Sequence, residues 1–261
     1  TSDSFSYTVN DDDGATSNVA TVDLTIAESS GLVFESDDFN STTLDSRWTV
    51  IDPLGDSLVG TTGVGTGDAL LELSVPGGTA HDLWNNNKDA VRVMQTATDT
   101  DFELEVKHAS LPDQKFELQG ILVEQDNNDW IRFDTFSDSN FLRIFAATTT
   151  DGNSNQRINI NVAPGSADYL RVNRQGDQWR LDYSGDGSNW TTAGSFTHDL
   201  NVSQVGTFAG NSGNSPAFTA EVDYFFNTAE PIVPEDGGGE PAANEAPVAN
   251  NDSGTVAPAG T

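Results

Sequence analysis

The chain has 261 residues, 35% of them hydrophobic, and its 41 acidic against 11 basic residues give a formal net charge of −30. So much negative charge repels nucleic-acid phosphates and anionic lipid, which argues against both partners, and it is compatible with divalent-cation binding or with life in salty water. The absence of cysteine excludes disulfide scaffolds and thiolate metal sites, and no apolar run approaches the roughly 20 residues that membrane insertion requires.

Residues 1–28 predict a single hairpin. Two runs of alternating apolar and polar residues, at 5–9 and 20–26, flank the turn sequence DDDG. Two strands alone are marginal in water, so we expect the hairpin to end a longer domain. Its pattern resembles the last two strands of the cadherin-like, immunoglobulin-like repeats of bacterial surface proteins.

The polar stretch HDLWNNNKD, residues 81–89, predicts a loop that exposes an aromatic ring. Neutral sugars stack on such rings, while amide, carboxylate and imidazole groups fix their hydroxyls. His81, Asp82, Trp84 and Asn85 offer these groups within five positions. The structural alternative is that Trp84 plugs the fold and the asparagines only form turns.

The sequence DFELEV, residues 101–106, places Asp101, Glu103 and Glu105 on one face of a strand. Retaining glycosidases use two carboxyl groups about 5–5.5 Å apart, a distance that alternate strand positions supply. The same alternation is typical of any half-exposed strand in an acidic protein. We therefore favour the ordinary interpretation and keep a glycoside hydrolase using Glu103 and Glu105 as an alternative.

Residues 116–136, FELQGILVEQDNNDWIRFDTF, predict a second hairpin. Centring its turn on 127–128 pairs Gln125 with Trp130. One face then collects the core candidates Leu118, Leu122, Ile131 and Phe133. The other face is mixed, and its sugar-binding candidates are Gln119, Trp130 and Arg132, joined by Gln95 from an earlier strand.

Residues 169–190 predict two further hairpins in series. The turn QGDQ pairs Val172 with Leu181, and an Asp-Gly in GDGS suits the positive φ of the next turn. Trp179 and Trp190 follow these turns, and we interpret both as structural.

Taken in order, the motifs DDFNSTTLDSRWTV, HDLWNNN, VMQT, DFELEVKH, LQGILVEQDNNDWIRF, YLRVNRQGDQW and DYSGDGSNW resemble one family. It is the concanavalin A-like domain family found as a C-terminal module of β-xylosidase-type enzymes and as free-standing proteins. The resemblance implies an all-β, two-sheet β-sandwich (jelly roll) over residues 32–228. That fold hosts enzymes, lectins and spacers alike, so it does not fix a function.

The resemblance also suggests a structural Ca²⁺ ion, because in the concanavalin A-like sandwiches that bind one the first and last strands often meet at the ion. Its expected ligands here are Glu35, Asp37, Asp38 and Asp223, which supply the oxygen donors that calcium prefers. The acidic turn at 10–14 is a second candidate, since cadherin-like repeats commonly bind calcium at their junctions. A solvated turn explains it equally well.

Residues 229–245 predict an extended Pro/Gly/Glu linker, the start of a flexible acidic tail. Residues 246–261 contain NEAPVANNDSGTV, which resembles the opening of another cadherin-like repeat. With one repeat ending before the sandwich and another beginning after it, we expect a piece of a longer protein, with neighbouring repeats as partners. That protein is expected to be secreted or displayed on the surface of a bacterium, and a Gram-negative one is favoured.

These patterns predict a non-catalytic, lectin-like module that binds a polysaccharide or glycan. Two alternatives remain open. One is the glycoside hydrolase described above, and the other is a spacer of a giant adhesin with no ligand except calcium.

Overall fold

The computed structural model describes residues 2–10, 12–25 and 33–236, and these residues form β-strands without any helix. Within the same ranges, therefore, no helix is long and apolar enough to cross a membrane. The strands in chain order are β1 (Ser2–Tyr7), β2 (Ala20–Thr25), β3 (Thr49–Ile51), β4 (Leu58–Thr62), β5 (Leu70–Val75), β6 (Leu83–Trp84), β7 (Asn87–Lys88), β8 (Val91–Thr96), β9 (Phe102–His108), β10 (Glu117–Glu124), β11 (Trp130–Ser137), β12 (Leu142–Thr150), β13 (Asn153–Val162), β14 (Tyr169–Gln175), β15 (Gln178–Ser184), β16 (Thr191–Thr197), β17 (Gln204–Asn211) and β18 (Phe218–Asn227).

Two seven-stranded antiparallel sheets form the predicted sandwich. Sheet I has the order β13-β12-β11-β10-β17-β8-β3, and sheet II has the order β16-β15-β14-β9-β18-β5-β4. The main core fills the space between them. Phe102, Leu104 and Val106 of β9 point into that core, as the alternation in DFELEV predicts, and leave Glu103 and Glu105 on the outer side of sheet II.

The β14–β15 hairpin has the predicted register. Val172 pairs with Leu181, and Gly176 occupies the two-residue turn with a positive φ of 55°. Gly187 in the next turn also has a positive φ, of 68°. Both glycines adopt a left-handed conformation that a side chain would disfavour, so the turn sequences determine these two hairpins.

The predicted register of the β10–β11 hairpin is wrong by one residue. Glu124, and not Gln125, pairs with Trp130, so the loop contains five residues, 125–129. The Asp126 carboxylate stabilises this loop because its Oδ1 accepts hydrogen bonds from the backbone N–H groups of Asn128 and Asp129, at 2.8 and 3.0 Å.

A shift of one residue exchanges the two faces of a strand. Leu118 and Leu122 therefore lie on the outer face of sheet I, whereas the predicted register places them on the same core face as Ile131 and Phe133. The inner face of this hairpin carries Ile121, Val123, Ile131 and Phe133.

A second, smaller core covers part of the outer face of sheet I. The two-stranded β6–β7 hairpin packs there, and Leu83 and Ala90 contact apolar side chains that point away from the main core. The buried members supplied by sheet I are Met94, Leu118, Leu122, Trp130 and Phe208. This cover explains why both faces of the β10–β11 hairpin are apolar.

The β1–β2 hairpin at the start of the chain forms as predicted, with Tyr7 paired to Ala20. Residues 8–10 and 12–19 form its connection, in which Asp12 and Asp13 are exposed. Asp11, another member of the acidic turn, lies outside the described residues, as do residues 26–32.

The beginning of the sandwich lies against its last strand. Asp37 and Phe225 exchange two backbone hydrogen bonds of 2.9 Å, and the Ser36 hydroxyl donates to the carbonyl of Glu230 at 2.7 Å. Residues 229–236, here named the exit segment, pack against the sandwich, in contrast to the extended linker predicted there. Asp236 at its end is buried, and its Oδ2 accepts a hydrogen bond from the backbone N–H of Ala69 at 2.8 Å. Residues 237–261 lie outside the described residues.

Candidate functional site

A cleft of about 310 Å³ lies on the outer face of sheet I, beside the β6–β7 hairpin. Its lining is mainly apolar with a few polar groups, which is typical of small-molecule sites. The lining residues are Asp82, Trp84, Phe116, Leu118, Arg132, Phe136, Phe145, Gln156 and Ser212.

Four aromatic rings form a continuous row through the cleft. Trp84 lies 6.1 Å from Phe145, Phe145 lies 5.6 Å from Phe136, and Phe136 lies 6.1 Å from Phe116, measured between ring centroids. Trp84, Phe116 and Phe136 are only partly buried. Rings held in contact and open to solvent provide an apolar surface for a flat ligand.

Phe116 has an unusual backbone conformation at one end of this row. Its φ is +64°, a region that side-chain-bearing residues rarely adopt. Its N–H donates to the carbonyl of Ser137 at 2.7 Å, and its own carbonyl accepts from the N–H of Ser212 at 3.0 Å. Such strain costs about 1–3 kcal/mol and is concentrated at functional sites.

A buried ion pair lies beside the aromatic row. Arg132 donates through Nε and one terminal nitrogen to both carboxylate oxygens of Asp134, at 2.7 and 2.8 Å, and through the other terminal nitrogen to the carbonyl of Leu83 at 2.6 Å. Burial raises the pKa of Asp134, and the Arg132 guanidinium opposes that shift. The guanidinium also lies 4.9 Å from the centroid of Phe145, so a cation–π contact holds this ring of the row in place.

Asp82 provides the carboxylate of the cleft. Its Oδ1 accepts the N–H of Leu83 at 2.8 Å, and its Oδ2 accepts the hydroxyl of Ser212 at 3.1 Å. The side chain of Asp82 remains 23% exposed, which leaves it accessible to a ligand. Gln156 is exposed at the same cleft. Sugar hydroxyls could therefore bind carboxylate, hydroxyl and amide groups next to the rings.

The structure brings together three of the eight predicted carbohydrate-binding residues: Asp82, Trp84 and Arg132. Asn85 follows Trp84 in the same turn but is occupied by Ser154, whose hydroxyl accepts the Asn85 N–H at 2.7 Å. His81 is completely buried, and its Nε2 lies 2.8 Å from the Asp56 carboxylate. Neither Asn85 nor His81 lines the cleft.

The other three predicted residues lie elsewhere. Trp130 is fully buried beneath the β6–β7 hairpin, so it cannot stack on a ligand. Gln95 and Gln119 are buried on the inner side of sheet I. Gln95 bonds through its amide to the backbone of Glu35, at 3.0 and 2.9 Å, and Gln119 accepts the Ser110 hydroxyl. Their predicted position on the mixed outer face is wrong because strand alternation takes them to the opposite side.

Sequence reasoning missed five lining residues that matter to the cleft. Three of them, Phe116, Phe136 and Phe145, complete the aromatic row, and Gln156 and Ser212 add polar groups. The alternation Arg132, Asp134, Phe136 along β11 was the available signal, since it places Phe136 on the face of Arg132. The pairing of β11 with β12, which brings Phe145 to the same place, is a long-range contact without a local pattern.

A larger groove of about 620 Å³ lies between the loops that follow β13 and β15. Its central carboxylate, Asp186, is occupied by turn contacts, which include the N–H groups of Asn189 and Ser188 at 2.7 and 2.9 Å. The first of these hydrogen bonds is the main reason that the pKa of Asp186 is far below its ordinary value. Tyr183 is the aromatic residue of this groove, so it offers no row of rings.

The carboxylates Glu103 and Glu105 lie on the outer side of sheet II, away from the cleft. Glu105 accepts from Arg171 at 2.5 Å and from the Tyr224 hydroxyl at 2.6 Å. Glu103 accepts from the Asn173 amide at 3.1 Å. Burial, followed by this bond to Glu105, raises the pKa of the Tyr224 hydroxyl, which therefore stays protonated. Both carboxylates thus take part in structural contacts.

Among the described residues the four predicted calcium ligands do not form one cluster, and the Asp38 carboxylate accepts the N–H of Asn40 at 3.3 Å. Glu35 pairs with Arg47 at 2.8 Å, and the Asp37 carboxylate accepts from the N–H of Phe39 at 2.8 Å and from the Trp48 indole N–H at 2.7 Å. Asp223 instead faces two acids of the exit segment. One carboxylate oxygen from each of Asp223, Glu235 and Asp236 lies within 4.8 Å of the others. Burial is the largest cause that raises the pKa of Glu235, followed by Asp223.

Several solved structures share this fold. The chain superimposes on a functionally unknown protein from Saccharomyces cerevisiae with a TM-score of 0.54 and 14% identity, over 70% of this chain and 97% of that one. It matches the GH43 protein BlXynB from Bacillus licheniformis with a TM-score of 0.58 and 18% identity. It matches the xylan β-1,4-xylosidase from Bacillus halodurans C-125 with a TM-score of 0.54 and 17% identity. At these identities the likeness shows the fold alone.

The chain spans 45% of the length of each of those two bacterial proteins, and 84% of the chain is covered in both cases. The search of curated proteins found no match.

A family model matches residues 72–228, which is more than half of the chain and includes every residue that lines the cleft. Glu235 and Asp236 of the exit segment lie outside the matched range. By this match the chain belongs to the family described as "Protein of unknown function (DUF1349)".

Proposed function

We propose that this chain is a non-catalytic carbohydrate-binding module of a secreted or surface-displayed bacterial protein. The observation that carries the proposal is the row of four aromatic rings in the cleft of sheet I, bordered by polar side chains. In the proposal, neighbouring cadherin-like repeats of the same polypeptide hold the module away from the cell or from a catalytic domain.

The chemistry of the lining favours a neutral sugar. The C–H faces of a pyranose ring stack on Trp84 and Phe136, whereas Asp82, Ser212 and Gln156 bind its hydroxyls. Asp134 already neutralises the charge of the buried Arg132, and three N–H groups of Arg132 are used by Asp134 and the carbonyl of Leu83, which disfavours an anionic ligand. The acidity of the chain, −30 overall, further opposes anionic sugars.

Two of the fold neighbours make xylan the first polysaccharide to test. They are named as a GH43 protein and a xylan β-1,4-xylosidase, and this chain corresponds to less than half of each. A module of that kind would bind a glycan near an enzyme without cleaving it. Xylan and glucan oligosaccharides are therefore the first probes.

The decisive experiment is a glycan array probed with the full chain, followed by calorimetric titration of the best xylo- or gluco-oligosaccharide. Trp84→Ala should weaken binding about tenfold or more, because the ring contributes on the order of 1.4 kcal/mol. Trp190→Ala is the matched control. Trp190 is also partly buried but stacks on Arg171 on sheet II, with 3.7 Å between the guanidinium carbon and the ring centroid, so its loss should leave binding unchanged.

Two results would contradict the proposal. If no glycan on the array binds the chain and no oligosaccharide gives titration heat, a ligand-free spacer is favoured. Release of reducing sugar that disappears in Glu103→Gln would instead favour the hydrolase that uses Glu103 and Glu105.

A further inference from the structure

The acidic cluster formed by Asp223, Glu235 and Asp236 contains buried carboxylate oxygens without a donor. Asp223 is 2% exposed and Asp236 is 8% exposed. Oδ1 of Asp223, Oε1 of Glu235 and Oδ1 of Asp236 are each buried and lack a hydrogen-bond partner among the described residues. Leaving a charged oxygen buried and unpaired costs several kcal/mol, so this arrangement requires a positive ligand or a shared proton.

The charges of the cluster define the ligand. Lys107 pairs with the other oxygen of Asp223, so when all three carboxylates are ionised they face one ammonium group and two negative charges remain. A divalent cation would neutralise that excess. Burial is the largest cause that raises the pKa of Asp236, and the nearby carboxylates of Asp223 and Asp38 raise it further.

The ligand atoms favour calcium among the common divalent ions. All of them are carboxylate oxygens, which hard cations prefer. Calcium binds oxygen at about 2.3–2.6 Å, so two of its ligands can lie up to about 5 Å apart. One oxygen from each of the three carboxylates lies within 4.8 Å of the others, so these three groups suit one such ion.

The cluster also joins separate parts of the chain. Asp223 belongs to β18, whereas Glu235 and Asp236 end the exit segment. The second carboxylate oxygen of Asp236 accepts the N–H of Ala69, just before β5. An ion here would therefore fasten the exit segment to sheet II.

We propose that Asp223, Glu235 and Asp236 bind one Ca²⁺ ion that fastens the exit segment to the last strand of the sandwich. This ligand set differs from the one predicted from the sequence, because Glu35 and Asp37 are engaged elsewhere and two ligands come from the segment expected to be a free linker. The proposal is independent of carbohydrate binding, since the cluster shares no residue with the cleft.

The test is calorimetric titration of the full chain, freed of metal with a chelator, against calcium chloride and separately against magnesium chloride in 0.15 M sodium chloride. We expect one calcium per chain, weaker magnesium binding and a higher melting temperature with calcium. Glu235→Gln and Asp236→Asn should each weaken calcium binding about tenfold or more, in keeping with the usual effect of changes around a metal. Glu235→Gln is the safer variant, because Glu235 is less buried than Asp223.

Glu35→Gln is the matched control. It removes a predicted ligand that the structure places in an ion pair with Arg47, so calcium affinity should not change. A protease that cleaves after glutamate provides a second measurement. Calcium should slow cleavage after Glu235 in the unmodified chain and should fail to do so in Asp236→Asn.

Two outcomes would overturn the inference. If the chain binds no calcium and melts at the same temperature with chelator, the cluster shares a proton instead. If calcium binds equally well to Glu235→Gln, Asp236→Asn and the unmodified chain, the ion occupies another part of this acidic protein.

Discussion

His108 shows how a single buried ring can make this fold sensitive to acid. It lies at the end of β9, is 2% exposed, and neither ring nitrogen has a hydrogen-bond partner among the described residues. Burial lowers its pKa to about 3 from an ordinary value near 6.5. At a pH between those two pKa values, His108 is protonated in the unfolded chain and neutral in the folded chain. The contribution of His108 to the unfolding free energy is therefore fully present above pH about 6.5. It falls by about 1.4 kcal/mol for each pH unit below that value.

His108→Phe should remove this part of the acid sensitivity. Between pH 7 and pH 5 the unmodified chain should lose about 2 kcal/mol more unfolding free energy than the variant. Urea denaturation of both proteins at the two pH values measures the difference. His198→Gln is the control, since His198 is partly exposed and its substitution should change the pH dependence less. Equal pH dependence in His108→Phe and the unmodified chain would contradict the prediction.

The Arg132–Asp134 pair is the second case at this scale. Asp134→Ala should destabilise the protein by about 3–5 kcal/mol, because it leaves the buried Arg132 guanidinium without its carboxylate. The double variant Arg132→Met/Asp134→Leu should cost less than the single variant, since no buried charge remains. Urea denaturation of the two variants tests this. A double variant less stable than Asp134→Ala would show that the pair itself, and not the uncompensated charge, determines the loss.

At the scale of strands and hairpins, the sequence determines local registers only where the turn is specific. The Gly176 turn permits one pairing of β14 with β15, and the structure has that pairing. The sequence DNND between β10 and β11 accommodates either a four- or a five-residue loop. Apolar alternation could not decide, because the β6–β7 hairpin covers the outer face and both faces of β10 are buried. Burial on both sides removes the signal that normally fixes register.

The candidate site was predictable only where its residues lie close together in the sequence. Trp84 and Asp82 were recognisable because they lie two positions apart in a polar stretch that itself borders the cleft. Phe116 and Phe145 reach the row only through the pairing of β10, β11 and β12 in sheet I. Trp130 was misplaced because an aromatic residue at a hairpin end looks the same in sequence whether another hairpin covers it or not.

The two tryptophans near the cleft should separate stability from binding. Trp130→Ala should cost about 3–5 kcal/mol of unfolding free energy, since the side chain is fully buried in the smaller core. Trp84→Ala, at a partly exposed position, should cost about 1–2 kcal/mol. Thermal and urea denaturation of both variants provide the comparison. If Trp84→Ala is the more destabilising, then Trp84 is a structural plug and its role in a sugar platform fails.

At the scale of the whole molecule, a charge of −30 on 261 residues acts against compactness. Raising sodium chloride from 0.1 to 1 M shortens the screening length from about 10 to about 3 Å, which weakens repulsion between surface carboxylates. We therefore expect the melting temperature to rise by several degrees, at roughly 3 °C for each kcal/mol gained.

Differential scanning calorimetry in the presence of a chelator measures this effect apart from any calcium binding. Choline chloride at equal ionic strength is the control and should give a similar increase, because screening does not depend on the identity of the cation. A melting temperature that is constant or falls across this range would contradict the expectation.

The backbone pairing of Asp37 with Phe225 has a mechanical consequence. In this antiparallel pair the chain arrives at Asp37 and departs beyond Phe225 on the same side, so tension applied to the two flanking segments pulls the pair apart sideways. Hydrogen bonds in that geometry break one after another, and the hydrogen bond of Ser36 to Glu230 of the exit segment breaks with them. The bonds of Val33 to Thr98 and of Asp236 to Ala69 lie nearer the two flanking segments, so they carry the tension before the Asp37–Phe225 pair does. A chain pulled at these two segments would therefore release the Val33 and Asp236 bonds first and the pairing of Asp37 with Phe225 next.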